Sequence, residues 1–259
     1  MRVYVGFDDT DVKDADRGTG KLARWFEDEI PEVCHVWGVV RQQLLVNDLI
    51  PYTSHNSSAC VVVECPESVS LEVLTDRAIS HIERHFIYGS DPGLCVCPEG
   101  HPALKNLLGF GRACTERVVS QEDALMAATG VHLSGHGGTN DGIIGAAASV
   151  GLTFRGWSGR FIEFGRLRDI PESVDVGTLE QLGIHVISLD RDVQVPGPAD
   201  KVANSGWLRP RLLGGFPIVL VVPRGPGLWE ALGKKHKTGQ KEGSTNGRQD
   251  FLQGTDQSR

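Results

Sequence analysis

Short apolar runs alternate with segments of helical periodicity along residues 1–90, and this alternation limits the folds that the chain can adopt. The run from Val3 to Phe7 is nearly continuous, which is typical of a strand that is buried on both faces of a sheet. The next predicted elements are a helix over 22–30, strands over 35–40 and 59–64, and a helix over 71–86. The chain therefore opens with the order β-α-β-β-α.

Glycine and proline are frequent between Tyr88 and Pro102, where the sequence predicts turns. Beyond them the predicted elements are helices over 121–129 and 142–150, strands over 152–155 and 160–164, a helix–strand pair over 179–189, and a strand over 217–222. This alternation of strands and helices predicts an α/β (α+β) fold. Its units are expected to be split β-α-β arrangements of the ferredoxin-like type, in two small packed subdomains.

A domain boundary is predicted near Arg117, which divides the folded part into domains 1–117 and 118–232. The remaining segment, 233–259, has only Phe251 and Leu252 as large apolar side chains. A segment of this composition cannot bury enough apolar surface to offset the entropy of ordering. We therefore expect a disordered tail there.

Composition limits the class of protein further. Apolar residues make up 40% of the chain and charged residues 23%, as in ordinary globular proteins. No apolar run approaches the ~20 residues of a membrane span, and acidic residues follow the first strand at once, so neither a membrane partner nor a secretory signal is expected. The predicted location is cytoplasmic, where the six cysteines are expected to be reduced thiols without disulfides. The net charge of −7 excludes a general nucleic-acid coat but leaves room for a local basic patch.

Three carboxylates, Asp8, Asp9 and Asp11, directly follow the first strand. Ligands of open α/β sheets gather at the carboxyl ends of strands, and carboxylates crowded there repel one another unless a cation neutralises them. Hard oxygen donors suit Mg²⁺, which completes its shell with water and substrate phosphates. The sequence therefore predicts a magnesium site, and the alternative is an acidic loop in which one aspartate caps a turn.

The segment from Arg17 through Gly18, Thr19 and Gly20 to Lys21 opens the first helix. Its glycines let backbone N–H groups approach a phosphate, and Lys21 or Arg17 adds a full positive charge. The segment lacks the longer spacing of a P-loop, and an ordinary glycine-rich turn is the alternative. Beside a magnesium site, it predicts binding of a nucleoside triphosphate such as ATP.

A second glycine-rich loop, SGHGGTNDG, precedes a helix of small residues. Gly137 and Gly138 favour close approach of the backbone to an anion or a base. Asn140 and Asp141 are good N-caps, and capping alone is the alternative explanation for them. His136 in the same loop is a weaker candidate, for a catalytic base.

Other residues carry a weaker signal. Cys95, Cys97 and His101 lack the second cysteine pair of a zinc site. His81 and His85 lie one helical turn apart, and we expect them on an exposed face of their helix. The polar residues that either read a nucleotide or satisfy the backbone of their own loop are Arg41, Tyr52, His55 and Asn56.

Four motifs occur in one order along the chain: VGFDDTD after the first strand, Arg41 before PYTSHNSSACVVVE, then GSDPGLCV, then GTNDGIIGAAASVGL. Over about residues 1–165, this set resembles the N-terminal half of archaeal tRNA-isoleucine agmatidine synthetase. That family joins kinase-like and ferredoxin-like domains to an OB-fold and a zinc ribbon. It uses ATP and Mg²⁺ to activate the anticodon cytidine for attack by agmatine. The resemblance implies a kinase-like nucleotide- and magnesium-binding domain over 1–117 and a ferredoxin-like domain over 118–232.

Carried over residue by residue, the resemblance implies that Asp8, Asp9 and Asp11 form the site for Mg²⁺ and the ATP phosphates. The other matching residues are Gly18 with its neighbours in the loop that follows, Asn56 in the Arg-Gly-Asn region of the nucleotide pocket, and Gly142 and Gly145 in the small-residue helix.

The chain departs from the family at the start of the first helix, where the family has two threonines, one of them a phosphate acceptor. Lys21 and Leu22 stand there, and Thr19 is the only nearby hydroxyl. The family's basic stretch before the third strand is here YTSHN, and the paired CxxC motifs of a zinc ribbon are missing from the sequence. We therefore expect a stand-alone relative that lacks the OB-fold and the zinc ribbon.

The sequence thus predicts a Mg²⁺- and ATP-dependent transferase or ligase-like enzyme that activates or phosphorylates an acceptor, either RNA or a small molecule. Asp8, Asp9, Asp11 and Lys21 are its predicted catalytic residues. Two alternatives stay open. One is a non-catalytic nucleotide-binding module that has lost the phosphate-acceptor position, and the other is an RNA- or substrate-binding module that uses no nucleotide.

Overall fold

The computed structural model describes residues 1–50, 55–192 and 194–233 of the chain. The strands in these ranges are β1 (Arg2–Asp8), β2 (His35–Gln43), β3 (Ser57–Glu64), β4 (Gly93–Pro98), β5 (His132–Gly135), β6 (Arg160–Glu163), β7 (Ser173–Asp175), β8 (His185–Ser188), β9 (Lys201–Ala203), β10 (Arg211–Leu213), β11 (Phe216–Gly225) and β12 (Leu228–Ala231). The helices are α1 (Thr19–Trp25), α2 (Leu71–His85), α3 (Ala103–Glu116), α4 (Gln121–Ala127), α5 (Gly142–Arg155) and α6 (Val176–Gln181). Short 3-10 helices cover Phe26–Glu29 and Leu167–Asp169. The predicted opening order β-α-β-β-α is confirmed.

The first four strands form an antiparallel sheet in the order β4-β1-β3-β2, with α1 and α2 as the two crossover connections. This is the arrangement of a split β-α-β, ferredoxin-like unit. In the centre of the sheet, Val5 lies opposite Val61 on one side and Val96 on the other. The predicted fold class is confirmed, since the molecule is a mixed α/β protein with a mostly antiparallel sheet.

Both faces of this sheet are covered, which explains the nearly continuous apolar run of β1. Phe7 packs with α1 and α2 on one face, and Tyr4 packs with α3 and α5 on the other. At Gly6, a Cβ atom would lie 2.3 Å from the backbone oxygen of Ala146, so glycine lets α5 approach the strand closely. The acidic residues after β1 are therefore attached to a rigid, buried strand.

The sheet continues beyond β2 through β6, β10, β11, β12, β9 and β7, and β8 pairs with β11. A third apolar cluster packs in this part, with Phe161, Leu179 and Trp229 among its members. The strands on either side of Arg117 belong to one continuous sheet. The division into domains 1–117 and 118–232 stays a prediction.

Two expectations about local structure are corrected. Residues 152–155 continue α5 instead of forming a strand, and the helix ends at Gly156, which has a left-handed φ of 73°. A short apolar run does not distinguish a strand from the end of a buried helix. The second correction concerns 88–102, where the expected turns enclose the buried strand β4. Glycine stands at position 93 of this strand because a Cβ there would lie 2.0 Å from the backbone of Gly142.

The cysteines depart from the expected set of reduced thiols. Cys34 and Cys65 form a disulfide with their Cα atoms 4.3 Å apart. They meet because β2 and β3 are antiparallel neighbours, with His35 opposite Glu64 at the end of the pair. The other four cysteines, all within the described residues, are free and buried.

The expected exposure of the two α2 histidines is wrong. His81 is fully buried, and its ring packs against the rings of Phe7 and Phe26. His85 is half-buried, with its ring centre 5.7 Å from that of Trp25. The buried face of α2 follows the helical repeat through Leu74, Ala78, His81 and Ile82, so His81 occupies a core position.

Among the described residues, no helix has both the length and the apolar character needed to cross a bilayer. The tail predicted for 233–259 lies, apart from Gly233, outside the described residues, as does Tyr52 of the polar set.

Candidate functional site

A cavity of about 670 Å³ opens beside the carboxyl end of β1, and it carries charges of both signs. Its acidic lining residues are Asp8, Asp9, Asp11 and Asp141. Its basic lining residues are Lys21, Arg24, Arg41, Arg117 and Arg168. The volume is in the range of small-molecule and cofactor sites.

Asp8, the last residue of β1, is held against the start of α5. A Cβ atom at Gly145 would lie 1.7 Å from Oδ2 of Asp8, so only glycine leaves room for this carboxylate. Burial, followed by repulsion from Asp9, raises the pKa of Asp8 to about 8, and Asp11 adds a smaller repulsion. The Asp8 carboxyl therefore keeps its proton near neutral pH unless a cation compensates its charge.

Asp9 has a left-handed φ of 47°, a conformation that aspartate tolerates better than most residues other than glycine. Burial, followed by repulsion from Asp91, Asp11 and Asp141, raises the pKa of Asp9 to about 6. Together with Asp8, these residues form a cluster of five carboxylates that influence one another electrostatically. We call it the carboxylate cluster.

Asp91 is the member of the carboxylate cluster that sequence reasoning missed. It precedes β4, and because β4 runs antiparallel to β1, the residues before β4 meet the residues after β1. Asp8 lies opposite Gly93 in this pairing, and the Asp91 carboxylate accepts a hydrogen bond from the backbone N–H of Thr139. The aspartate of GSDPG could have been predicted to lie near the site only after the strand that follows it had been recognised.

Asp11 and Thr19 tie the acidic loop to the first turn of α1. Oδ1 of Asp11 accepts hydrogen bonds from the backbone N–H of Thr19, at 3.0 Å, and from its hydroxyl, at 3.2 Å. The Thr19 hydroxyl oxygen also lies 3.1 Å from the hydroxyl of Thr10, which donates to it. Asp11 therefore links the acidic loop to α1 and also lines the cavity.

The glycine-rich segment before α1 lies partly in the cavity. Its lining residues are Gly18, Thr19, Gly20 and Lys21. The Lys21 ammonium lies over the Trp25 ring, 5.1 Å from the ring centre. Arg17 lies outside the lining, and its guanidinium donates to the backbone oxygen of His85 at 3.3 and 3.4 Å. The phosphate-binding role of this segment stays a prediction.

The second glycine-rich loop contributes Asp141 to the lining. Nε2 of Gln121 donates to the Asp141 carboxylate at 2.6 Å. At Gly138, which has a φ of 57°, a Cβ atom would lie 1.6 Å from Oδ1 of Asp91, so glycine makes room for that carboxylate. The residues of this loop that were predicted to bind the cofactor and lie outside the lining are Gly137, Gly138 and Asn140.

Asn56 lines the cavity, and its side-chain amide donates to the backbone oxygen of Leu45 at 2.6 Å. His136 lies outside the lining. One of its ring nitrogens is 2.8 Å from the hydroxyl of Ser134, and the other is 3.3 Å from a carboxylate oxygen of Glu83.

Three arginines gather around Glu163 and Trp207; Arg24, Arg168 and Trp207 line the cavity, and Arg209 lies beside them. Nε of Arg168 donates to the Glu163 carboxylate at 3.0 Å, and Nη1 of Arg24 lies 3.8 Å from the same oxygen. The guanidinium groups of Arg168 and Arg209 lie over the Trp207 ring, 5.3 and 4.5 Å from its centre. Burial, followed by repulsion from Arg168, lowers the pKa of Arg24. We call Arg24, Arg168, Arg209 and Trp207 the basic patch.

The carboxylate cluster fits a hard divalent cation, because every donor that it offers is a carboxylate oxygen. Neighbouring negative charges help to raise the pKa values of Asp8 and Asp9, and a bound cation would lower both. The room left by Gly145 places the Asp8 carboxylate at the cavity. This arrangement can hold a cation and, through it, an anionic ligand.

The fold and this cavity define a class: an α/β protein with a split β-α-β sheet and a carboxylate-lined site at the end of its first strand. No protein-family model and no curated protein sequence matches the chain. Among solved structures, the chain is similar to a tRNA fluorescent labelling enzyme, with 30% identity and a TM-score of 0.51 over 58% of this chain and 36% of that one.

The chain is also similar to TiaS, a tRNA agmatidine synthetase. The complex of TiaS with its isoleucine tRNA and ATP matches at 29% identity and a TM-score of 0.51. The complex with the same tRNA, AMPCPP and agmatine matches at 25% identity and a TM-score of 0.50, over 70% of this chain. The resemblance predicted from the motifs is confirmed: the chain is similar to part of TiaS, and it spans 36–44% of the length of these proteins.

Proposed function

We propose that the chain is a Mg²⁺-dependent, ATP-binding enzyme that activates or phosphorylates an acceptor. The observation that carries this proposal is the crowding of carboxylates at the end of β1, where Asp8 and Asp9 have raised pKa values beside a cavity of about 670 Å³. The existence of TiaS complexes with ATP and with AMPCPP supports the choice of nucleotide.

Asp8, Asp9 and Asp11 would hold the ion, with Asp91 and Asp141 close enough to add charge. When bound, Mg²⁺ neutralises negative charge on the phosphates during phosphoryl transfer. Gly145 keeps the space that the Asp8 carboxylate needs.

The other lining residues would bind and orient the reactants. Gly18 and Gly20 leave the backbone accessible to phosphates, and Lys21 adds a positive charge beside them. The apolar side chains of Ile144 and Ile162 reduce the water in the cavity, which strengthens these electrostatic contacts. Positioning and electrostatic stabilisation supply most of the catalysis in phosphoryl transfer, so these roles would suffice.

RNA is the class of acceptor that the basic patch favours, and a small metabolite is the other. Trp207 is 42% exposed and lies beneath the guanidinium groups of Arg168 and Arg209. RNA bases stack on guanidinium planes as well as on aromatic rings, so this layered group can hold a base while the arginines contact adjacent phosphates. The presence of tRNA in the complexes of TiaS supports this choice.

Calorimetric titration of ATP with and without Mg²⁺ tests the proposal. We expect Mg²⁺-dependent binding by the wild type, weakened at least about tenfold in Asp8→Asn. Asp16→Asn is the matched control, since the Asp16 side chain belongs to the same acidic loop but is 77% exposed. Binding that does not need Mg²⁺, or equal binding by Asp8→Asn, would contradict the assignment.

A non-catalytic nucleotide-binding module is the second candidate, and the surroundings of Thr19 favour it. The Thr19 hydroxyl is bonded to both Asp11 and Thr10, so it has a structural role already. This candidate predicts Mg²⁺-dependent ATP binding without release of ADP or AMP in the presence of unfractionated tRNA and a set of amines. Turnover by the wild type would exclude it.

A further inference from the structure

We infer that Glu29, His81 and His85 form a second metal site, which binds one divalent ion of the Zn²⁺ type. Their ligand atoms lie within 4.8 Å of one another. Glu29 ends the 3-10 helix that follows α1, and the two histidines stand one turn apart on α2. We call these three residues the histidine cluster.

His81 carries most of the inference. Its side chain is 1% exposed, and its Nε2 lies 2.9 Å from the backbone oxygen of Leu22. Because a carbonyl oxygen can only accept a hydrogen bond, Nε2 carries the proton, and Nδ1 of the neutral ring is then an acceptor. Among the residues that the structure describes, none bonds to this Nδ1. A buried polar atom without a partner costs about 1–3 kcal/mol, so a ligand for it is expected.

The Glu29 carboxylate oxygen that faces Nδ1 is itself an acceptor. Oε1 of Glu29 lies 4.0 Å from Nδ1 of His81, which is too long for a hydrogen bond. A nitrogen lone pair and a carboxylate oxygen therefore face each other across a gap. A cation between them would satisfy both atoms. His85 supplies the third ligand, with its ring centre 4.7 Å from that of His81.

The hydrogen bonds that support metal ligands are already in place. The backbone oxygen of Leu22 fixes the His81 ring through Nε2. Nη2 of Arg84 forms an ion pair with Oε2 of Glu29 at 2.8 Å, which leaves Oε1 on the side of His81. Second partners of this kind orient the ligands of natural metal sites. Arg84 also adds a positive charge near the site, so the net attraction depends on coordination rather than on charge alone.

The donor set selects the kind of ion. Two imidazole nitrogens and one carboxylate oxygen suit Zn²⁺, which leaves a fourth position for water, whereas Mg²⁺ prefers oxygen donors only. Bonds of ~2.0–2.1 Å in a tetrahedral site place ligands about 3.4 Å apart. Ligand atoms within 4.8 Å of one another must therefore approach by up to about 1.4 Å, which the half-buried Glu29 and His85 can do by side-chain rotation. The ion would join the segment after α1 to α2.

Titration with Co²⁺ as a spectroscopic probe tests the inference on the tag-free, chelator-treated full chain. An excess of Mg²⁺ occupies the carboxylate cluster during the titration. We expect one equivalent of Co²⁺ to bind with the visible absorption of a four-coordinate site, and Zn²⁺ to displace it. Glu29→Gln and His85→Ala change half-buried side chains, and each should weaken Co²⁺ binding by about tenfold or more.

His136→Ala is the matched control, because His136 also lies beside a glutamate, Glu83, but outside the histidine cluster. Its Co²⁺ affinity should equal that of the wild type. The inference is overturned if the wild type binds no stoichiometric Co²⁺, if both cluster variants bind as the wild type does, or if the control loses binding equally. Circular dichroism of each variant shows whether the fold is kept. A Zn²⁺-induced rise in melting temperature that His85→Ala abolishes would be an independent confirmation.

Discussion

Two clusters of ionisable side chains lie at the two ends of the segment 19–29, and they differ in the atoms that they offer. At its start, Asp11 binds Thr19 within a group of carboxylates that opens to a cavity. At its end, Glu29 meets two histidines of α2, one of them fully buried. One cluster consists of oxygens beside an open space, and the other combines nitrogens with an oxygen between packed helices.

The difference shows that acceptor groups removed from water can form sites for different kinds of metal ion. In each cluster, at least one acceptor group is removed from water: burial raises the pKa of Asp8 and Asp9, and Nδ1 of His81 has no hydrogen-bond partner among the described residues. Oxygen donors beside a cavity suit an ion that keeps several waters and exchanges with a phosphate ligand. Nitrogen donors between helices suit an ion that stays bound and stabilises the packing.

The largest expected effect comes from Asp9→Asn, which tests whether the two clusters are independent. Asp9 would be a ligand of the Mg²⁺ that neutralises the reacting phosphates, so its loss should lower ATP turnover about 100- to 1,000-fold. Co²⁺ affinity at the histidine cluster should change less than about twofold, since independent sites are nearly additive. Turnover is measured as nucleotide release with unfractionated tRNA, and Co²⁺ affinity by absorption. A parallel loss of both would mean that the clusters act as one unit.

The second effect concerns stability and pH in the metal-free protein. Because folding raises the pKa of Asp8 from 3.8 to about 8, the folded chain binds this proton more tightly than the unfolded chain does. Its contribution to stability is complete below pH ~4 and is lost as the pH rises to about 8. Each pKa unit corresponds to ~1.4 kcal/mol. About a third of this shift is therefore enough for Asp8→Asn to raise the free energy of unfolding at pH 8 by about 2 kcal/mol, the smallest change expected.

The measurement is urea unfolding in a chelator at pH 4 and pH 8, with Asp16→Asn as the control. The wild type and Asp8→Asn should differ much less at pH 4 than at pH 8. Saturating Mg²⁺ should remove most of the difference at pH 8 by stabilising the wild type. If the wild type and Asp8→Asn are equally stable at pH 4 and at pH 8, other groups of the folded chain compensate the charge of the Asp8 carboxylate.

The carboxylate cluster was partly predictable, because some of its members are neighbours in sequence. A buried apolar run followed at once by acidic residues places Asp8, Asp9 and Asp11 at a strand end without further knowledge of the fold. Asp91 required the pairing of β1 with β4, and the glycine and proline around β4 concealed that strand. Asp141 was found through its glycine-rich loop, although its contact with the others depends on the packing of α5.

The histidine cluster was not predictable from local sequence. The spacing of His81 and His85 shows only that they share a side of α2. This side of α2 is buried because the rings of Phe7, from β1, and Phe26, from the 3-10 helix after α1, pack against His81. Glu29 joins them only because α1 and α2 cover the same face of the sheet. Contacts between elements far apart in sequence decide such a site.

The smallest expected effect concerns the basic patch and tests whether it differs in function from the carboxylate cluster. If the basic patch binds RNA, Arg209→Ala should lower the magnitude of the salt slope by about 0.7, as for one lost contact to a single strand. That corresponds to about a fourfold loss of affinity at ~0.15 M salt. Arg112→Ala removes an exposed arginine of α3, outside the cavity lining, and should leave the slope unchanged. Filter binding of a labelled tRNA across a salt series measures both. Equal slopes for the wild type and Arg209→Ala would leave the acceptor to be sought among small metabolites, since the patch would then contribute no phosphate contact.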